Sequence, residues 1–431
     1  MKKLNFIIKC GLALLLLSFY SCESWLNVTP SDRLSEEMLF NDREGFVKAL
    51  NGVYIELNTN ELYGRNLTAG ALDVMGQYYS VASSSHAFYN YGGLVYTGND
   101  EKALFDNMWQ KCYAVIACCN TIIEKCDENK AGLSPVWKGA IKGEALALRA
   151  MLHFDMLRLF GPLTSELDKE SIPYQTNSDQ TVTPLLSGSE VVGLILDDLK
   201  NAVGLLKDTD PYFVEEEFSD TDLNYRRFRM NYFAAKGLMA RVQLWGGDKE
   251  KAAATAKEVI AEGQAEGAEF FPFVTNSEAT SSNPDRVFYS EVLFGTYHSS
   301  REKLHEDLFA PTLESTSILT LAGTARRDDL YDNENDYRYS VWSTYNKNGT
   351  SVLYHRKFEK QDNVTASRQY MIPLIRMSEM YLIAVECCKL DEASVYLNTF
   401  RNARNCNSLA LTEDNRINIL ANEYKKEMLG E

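Results

Sequence analysis

Apolar positions recur along most of this chain with the period of a helix. Phe46, Leu50, Val53, Tyr54 and Leu57 stand three or four residues apart, which places them on one face of a helix over residues 45–57. The same spacing predicts helices over 104–123, 137–160, 189–206, 231–245, 249–262, 375–390, 392–404 and 415–429. Gly161-Pro162 closes the third of these nine and Gly246-Gly247 the fifth. Helices 231–245 and 249–262 are joined by only a short turn, as are 375–390 and 392–404, so each couple should form an antiparallel pair. Ala234, Ala235, Ala240 and the alanines of 252–256 would let the members of such pairs approach closely. Repeats of tetratricopeptide type work this way: each pair buries its apolar face only against a neighbour.

Two long stretches lack the helical period. Residues 67–100 hold Tyr78, Tyr79, Phe88, Tyr89, Tyr91 and Tyr96 among Ser, Gly and Asn. Residues 270–369 hold Tyr331, Tyr337, Tyr339, Trp342 and Tyr345. Irregular segments of this length are uncommon unless they serve a function. Short strands and turns are expected inside both.

The N-terminus has the form of an export signal. Lys2, Lys3 and Lys9 precede a short apolar run, 11–20, which ends at Ser21-Cys22. A bilayer span needs about 20 apolar residues, and this run is shorter. A small residue directly before a cysteine resembles a lipoprotein cleavage box, although Phe19 and Tyr20 are bulkier than usual. The expectation is a signal over residues 1–21 and an acylated Cys22; an ordinary cleaved signal or a buried cysteine is the alternative. Acyl chains would then tether a mature chain that has no other long apolar run.

The formal charge is −16, and −19 once the three lysines of residues 1–21 are removed. An acidic surface excludes nucleic acid, whose phosphates call for Lys and Arg. With 45% hydrophobic and 11% aromatic residues, the chain has ample material for a large core, which excludes global disorder. Cys112, Cys119 and Cys126 recur every seven residues beside Phe105, Trp109, Ile116 and Ile123, so they read as small core residues on one helix face. No Cys-x-x-Cys pair and no well-spaced histidines accompany them, so no metal and no cofactor is expected; a disulfide stays open.

Enzyme motifs are missing: there is no Gly-x-Ser-x-Gly, no His-Glu-x-x-His and no phosphate loop. Of the five histidines, His153 falls within a helical core pattern and reads as packed. Glu215-Glu216-Glu217 reads as a solvated charge run, although two suitably spaced carboxylates would suffice for a glycosidase.

Several blocks resemble the SusD/RagB family of outer-membrane nutrient-binding lipoproteins. They are Trp109-x-x-x-Tyr113-x-x-Ile116-x-x-x-Asn120; Gly143-Glu144-Ala145-x-Ala147-Leu148-Arg149-Ala150 followed by Phe160-Gly161-Pro162-Leu163; and 231–242, from Asn231-Tyr232-Phe233 to Ala240-Arg241-Val242. Arg376-Met377-Ser378-Glu379-Met380-Tyr381-Leu382-Ile383 and Asn398-x-x-Arg401-x-x-Arg404 complete them. Tyr424 and Val385 depart from the pattern, and family members continue beyond the position of Glu431, whose absence here is expected to leave apolar surface beside 415–429.

The resemblance implies a mainly α fold: a tetratricopeptide-like helix-pair superhelix carrying an irregular, loop-rich ligand-binding lobe. One SusD-like domain would run from 22 to 431, helical to about residue 265 and loop-rich with C-terminal helices after it. It implies a lipoprotein of the cell outer membrane that faces outward and passes a glycan to a SusC-like TonB-dependent transporter, without catalysis. A peptide-binding RagB-like role and a protein-binding adaptor are the alternatives. Arg149, Glu144, Arg241, Glu379 and Arg404 are assigned to the scaffold as buried, partnered charges.

The ligand surface is expected in the two aromatic-rich segments. A sugar offers an apolar C–H face edged by hydroxyls, which an aromatic ring with a polar tip matches. Tyr78, Tyr79, Tyr89, Tyr91, Tyr339, Trp342 and Tyr345 are the candidates, with Trp342 foremost and Arg338, Asn346 and Asn348 as donors. Rings that merely pack the loops onto the core are the competing reading.

Overall fold

Local capping sets where the helices begin. The computed structural model describes residues 36–179 and 181–431, so Cys22 and the apolar run before it lie outside the described residues. Helix α1 (Arg43–Leu57) starts where the Asp42 carboxylate accepts a hydrogen bond from the Gly45 N–H. After α2 (Asn99–Glu128), α3 (Pro135–Phe160) opens on Ser134 with a proline in its first turn and stops at Gly161. Reciprocal caps, Ser187 with Glu190 and Thr412 with Asn415, start α4 (Gly188–Thr209) and the last long helix, Glu413–Glu427. Between these two lie α5 (Tyr232–Trp245), α6 (Lys249–Gly263), α7 (Met377–Cys387) and α8 (Leu390–Ala403); the last long helix is α9.

The long helices pack as a continuous row, α2 on α3, α3 on α4, α4 on α5, α5 on α6, α6 on α7 and α7 on α8. This is the stacked helix-pair architecture the periodicity implied. Close approach of α3 to α4 depends on Gly139 and Gly143. A Cβ at those positions would lie 2.6 Å from Thr209 Cγ2 and 2.7 Å from Leu206 Cγ, too near for either to remain in place. Cys112, Cys119 and Cys126 are buried on α2 as free thiols.

One boundary differs from the sequence reading. Ile375 and Arg376, read as the first residues of helix 375–390, are instead the last two of a strand, Met371–Arg376, and α7 begins only at Met377. This strand pairs antiparallel with Val292–Tyr297 and leads straight into α7. Both of its faces are covered, so its apolar residues show no alternation, and a short unbroken apolar run does not distinguish strand from helix. In chain order the strands are β1 (Val292–Tyr297), β2 (Trp342–Lys347), β3 (Thr350–His355) and β4 (Met371–Arg376). β2 and β3 form a hairpin whose turn, Asn348-Gly349, has φ of +52° and +86°. Positive φ at both positions is what the favoured two-residue hairpin turn requires.

Charges fasten the loop-rich half to the C-terminal helices. Arg338, Arg376, Arg401, Arg404, Lys357 and Lys426 meet Glu291, Asp332, Asp336, Glu423, Glu427 and Glu431, six cations against six carboxylates. Only Asp332 among them is exposed to any extent. Burial raises its pKa, but Arg401 and Lys426 outweigh that effect and hold it at about 2. Glu427 lies at the centre. Its carboxylate accepts from Arg404 Nη2 at 2.6 Å, from Arg338 Nη1 at 3.1 Å and from Arg376. Burial works against its charge too, yet Arg404 and Arg376 prevail and keep its pKa well below the ordinary carboxylate range. Other scaffold charges are paired as well: Arg149 with Asp198 at 2.7 Å, Arg241 with Glu379 at 2.6 Å, and Glu144 with Arg226 and Arg229.

Glu427→Gln would leave three buried guanidinium groups short of a counter-charge. A loss of about 3–5 kcal/mol is expected from breaking such a buried network. Urea denaturation measures it; a loss under about 1 kcal/mol, the worth of an exposed pair, would show that Glu427 does not hold the halves together.

Candidate functional site

The two aromatic-rich segments converge on one cleft. Ser80 N–H donates to Thr320 O at 2.8 Å, which joins the first segment to the second. The cleft, about 820 Å³, lies between residues 80–83, the stretch 313–323 and the tip of the β2–β3 hairpin. Lys347 closes one end, donating to Thr312 O at 3.1 Å, Leu313 O at 3.0 Å and Glu314 Oε1 at 2.8 Å. Among the described residues, Lys347 and Glu314 are the only charged ones on the wall, and they cancel each other. The hydroxyls of Ser80, Ser315, Thr350 and Ser351 line the same cleft and take no part in the internal hydrogen bonds that hold the lobe together. The cleft is thus electrically neutral, mixed in polarity and rich in uncommitted hydroxyls, a combination suited to a neutral hydroxylated ligand.

None of the seven candidate rings forms its wall. Tyr345 comes nearest: it is 44% exposed on β2 and stands across from Val352, which does line the cleft. Tyr89 is 42% exposed in a short helical turn away from it. Tyr78 is half-buried. Tyr339, also half-buried, donates to Asp328 and carries the Arg327 guanidinium over its ring at 4.4 Å. Three candidates are core residues, contrary to expectation. Trp342, the foremost of them, is 4% exposed with its ring 4.9 Å from that of His355. Tyr91 packs edge-on between Phe88 and Phe105, and Tyr79 packs on Phe309. Loops without a periodic apolar face need large rings to seat them on the core, and these three do so. Of the expected donors, Arg338 is locked in the buried network, Asn346 caps the hairpin turn, and Asn348 lines the cleft.

The histidine read as packed is so. His153 accepts from the Gln175 N–H through Nε2 and stacks on Tyr174 at 4.0 Å, and burial lowers its pKa to about 3. Among the described residues no group of three or more His, Cys, Asp or Glu is placed to hold a metal. No helix among them is long and apolar enough to cross a membrane.

A family model named SusD-like 3 and described as "Starch-binding associating with outer membrane" matches residues 24–244, just over half of the chain. The chain belongs to the SusD-like family. It is 26% identical to SusD-like protein P2 of Formosa agariphila over 265 residues, which is 60% of this chain and 46% of that protein. The chain spans about half the length of that curated relative, or less. A SusD-like carbohydrate-binding protein from Bacteroides vulgatus has the same fold, with a TM-score of 0.70 at 22% identity over 90% of this chain and 81% of its own. A laminarin-binding SusD-like protein aligns with a TM-score of 0.64 at 16% identity over 90% of this chain and 89% of its own. At such identities the likeness is one of fold.

In this SusD-like chain, the first aromatic segment is tied down by a buried carboxyl. Asp73 Oδ2 accepts from Gly430 N at 2.8 Å and from the Tyr79 hydroxyl at 3.2 Å. Burial pushes its pKa up to about 8, more than the Gly430 and Tyr79 hydrogen bonds pull it down. The folded state therefore holds this proton more tightly than the unfolded chain does. The resulting stability is complete below the unfolded value near 3.8 and is lost as pH rises towards 8. Asp73→Asn keeps an oxygen acceptor without the charge. The variant should melt several degrees above wild type at pH 8 and close to it at pH 4. An equal shift at both pH values would remove the ionisation of Asp73 as the cause.

Proposed function

We propose that this SusD-like protein is a surface lipoprotein that binds a neutral oligosaccharide in the cleft between residues 80–83, 313–323 and 347–353, and delivers it to a SusC-like TonB-dependent transporter. The observation that carries the reading is the cleft wall, with its paired charges and free hydroxyls. The volume of the cleft, about 820 Å³, suits several sugar units rather than one, and the family description names starch. The transporter partner rests on the family resemblance and on a lipid tether that would keep both proteins at one membrane, where a modest interface suffices. The role is non-catalytic: among the described residues Glu314 is the sole carboxylate on the wall and is held by Lys347, whereas glycoside hydrolysis needs two free ones.

Affinity electrophoresis in gels containing soluble starch or laminarin tests the cleft. Wild type should be retarded by one of them. Ser351→Trp, which places a ring in the cleft from an exposed strand position, should abolish the retardation with unchanged circular dichroism. If Ser351→Trp migrates like wild type, the ligand does not occupy this cleft.

The lipid tether has its own test. Mass spectrometry of the protein purified from membranes should find Cys22 as the first residue, carrying acyl chains. Cleavage elsewhere, or an unmodified Cys22, removes the tether from the reading.

A further inference from the structure

A second, smaller pocket lies on the helical half, between α1, the start of α3 and residues 211–229. Its volume is about 180 Å³, room for one six-membered ring and not for a chain of them. Three aromatic rings stand in its wall: Trp137, Phe218 and Tyr225. Trp137 and Phe218 hold each other with centroids 4.5 Å apart, and the Arg43 guanidinium, which does not line the pocket, lies 4.7 Å over the Trp137 ring. Tyr225 is 38% exposed at the rim, propped by Phe228 and Tyr297.

The floor carries charge that the fold has already neutralised. Glu144 accepts from the Tyr54 hydroxyl at 2.6 Å, from Arg229 Nε at 3.1 Å and from Arg226, and Arg226 also pairs with Asp210 at 2.6 Å. Two guanidinium groups thus face two carboxylates, so neither arginine is free to hold an anion. Three polar groups on the wall are not committed to the fold. The Asn51 oxygen accepts from Arg229, but its amide nitrogen has no partner among the described residues. Asp222 spends one oxygen on the N–H and hydroxyl of Ser219, and its other oxygen is unused. The Tyr225 hydroxyl makes no hydrogen bond among the described residues.

We propose that this pocket binds a single neutral pyranose, separately from the long cleft. A pyranose presents C–H faces to the rings and hydroxyls around its edge. Asp222 and Tyr225 would accept from those hydroxyls, while Asn51 would donate to them. A purely apolar occupant, such as a partner's leucine, would leave these groups unmatched, and an anion would meet the Asp222 carboxylate. The long cleft offers the reverse arrangement, many hydroxyls and no ring in its wall. The protein would then hold two sugar sites of different chemistry, one for chains and one for single units or chain ends.

Saturation-transfer difference NMR with glucose, galactose, mannose and xylose, each at millimolar concentration, tests this. At least one sugar should give a saturable signal that survives Ser351→Trp, the block of the long cleft. Tyr225→Ala, at an exposed position, should weaken it by about tenfold, as expected for a lost stacking contact. Asn51→Ala, which removes the free amide, should weaken it by a smaller factor, with an unchanged melting temperature as the folding control. The proposal is overturned if no sugar gives a signal, if Ser351→Trp abolishes it, or if both pocket variants bind like wild type. The first outcome alone leaves the long-cleft reading standing, because that reading is tested with polysaccharides.

Discussion

A carboxylate cut off from water persists inside a protein only where cations reach it, and Glu427 is reached by three arginines. Those arginines arrive from different places. Arg338 precedes β2, Arg376 ends β4, and Arg404 follows α8. The geometry that satisfies one carboxylate therefore fixes the loop-rich lobe relative to the helical row. Replacing such a network by apolar residues is often neutral for stability, whereas removing a single member is costly. Its role is then chiefly to define position. The β2–β3 hairpin is seated on this base, because Trp342 and His355, opposite each other at its open end, are buried while its tip remains free to form the cleft.

The parts of the fold that could be read in the sequence are those decided locally. The helices from α1 to α6 appear where the three-to-four spacing puts them, because capping and one-sided burial act over a few residues. The last two residues of β4 were read as the start of a helix for the same reason in reverse: buried on both faces, the strand carries no period at all. The Asn348-Gly349 pair between short alternating runs was a legible hairpin signal that the helical reading passed over. Charge partners were illegible. That Arg149 and Arg241 must be paired follows from their helical setting, but their carboxylates lie 49 and 138 residues away in the chain. No local pattern encodes those distances.

Aromatic residues mislead for a related physical reason. In a segment without a periodic face, a ring is as useful for seating backbone on the core as for meeting a ligand, and sequence gives both uses the same appearance. Tyr79, Tyr91 and Trp342 do the first. The side chains that do form the cleft are Ser, Thr, Asn, a Lys–Glu pair and scattered Leu, Ile and Val, residues that look like ordinary loop composition. The aromatic pocket beside α1 draws on rings from the start of α3 and from 218–225, stretches whose sequences look like a helix entrance and an acidic turn.

Charge distribution narrows what either site can hold. The chain carries a formal −16, yet the long cleft has one cation and one anion in contact, and the small pocket rests on arginines already matched by carboxylates. Neither site offers an unpaired cation among the described residues, and the small pocket carries the Asp222 carboxylate besides. A polyanionic ligand would approach against that field and meet no free cation on arrival. A neutral sugar pays neither penalty, since its binding depends on surface contact and hydrogen bonds that long-range charge hardly alters. The same acidity that excludes nucleic acid from the sequence alone thus also argues against sulfated or uronic glycans as the ligand, and for neutral ones.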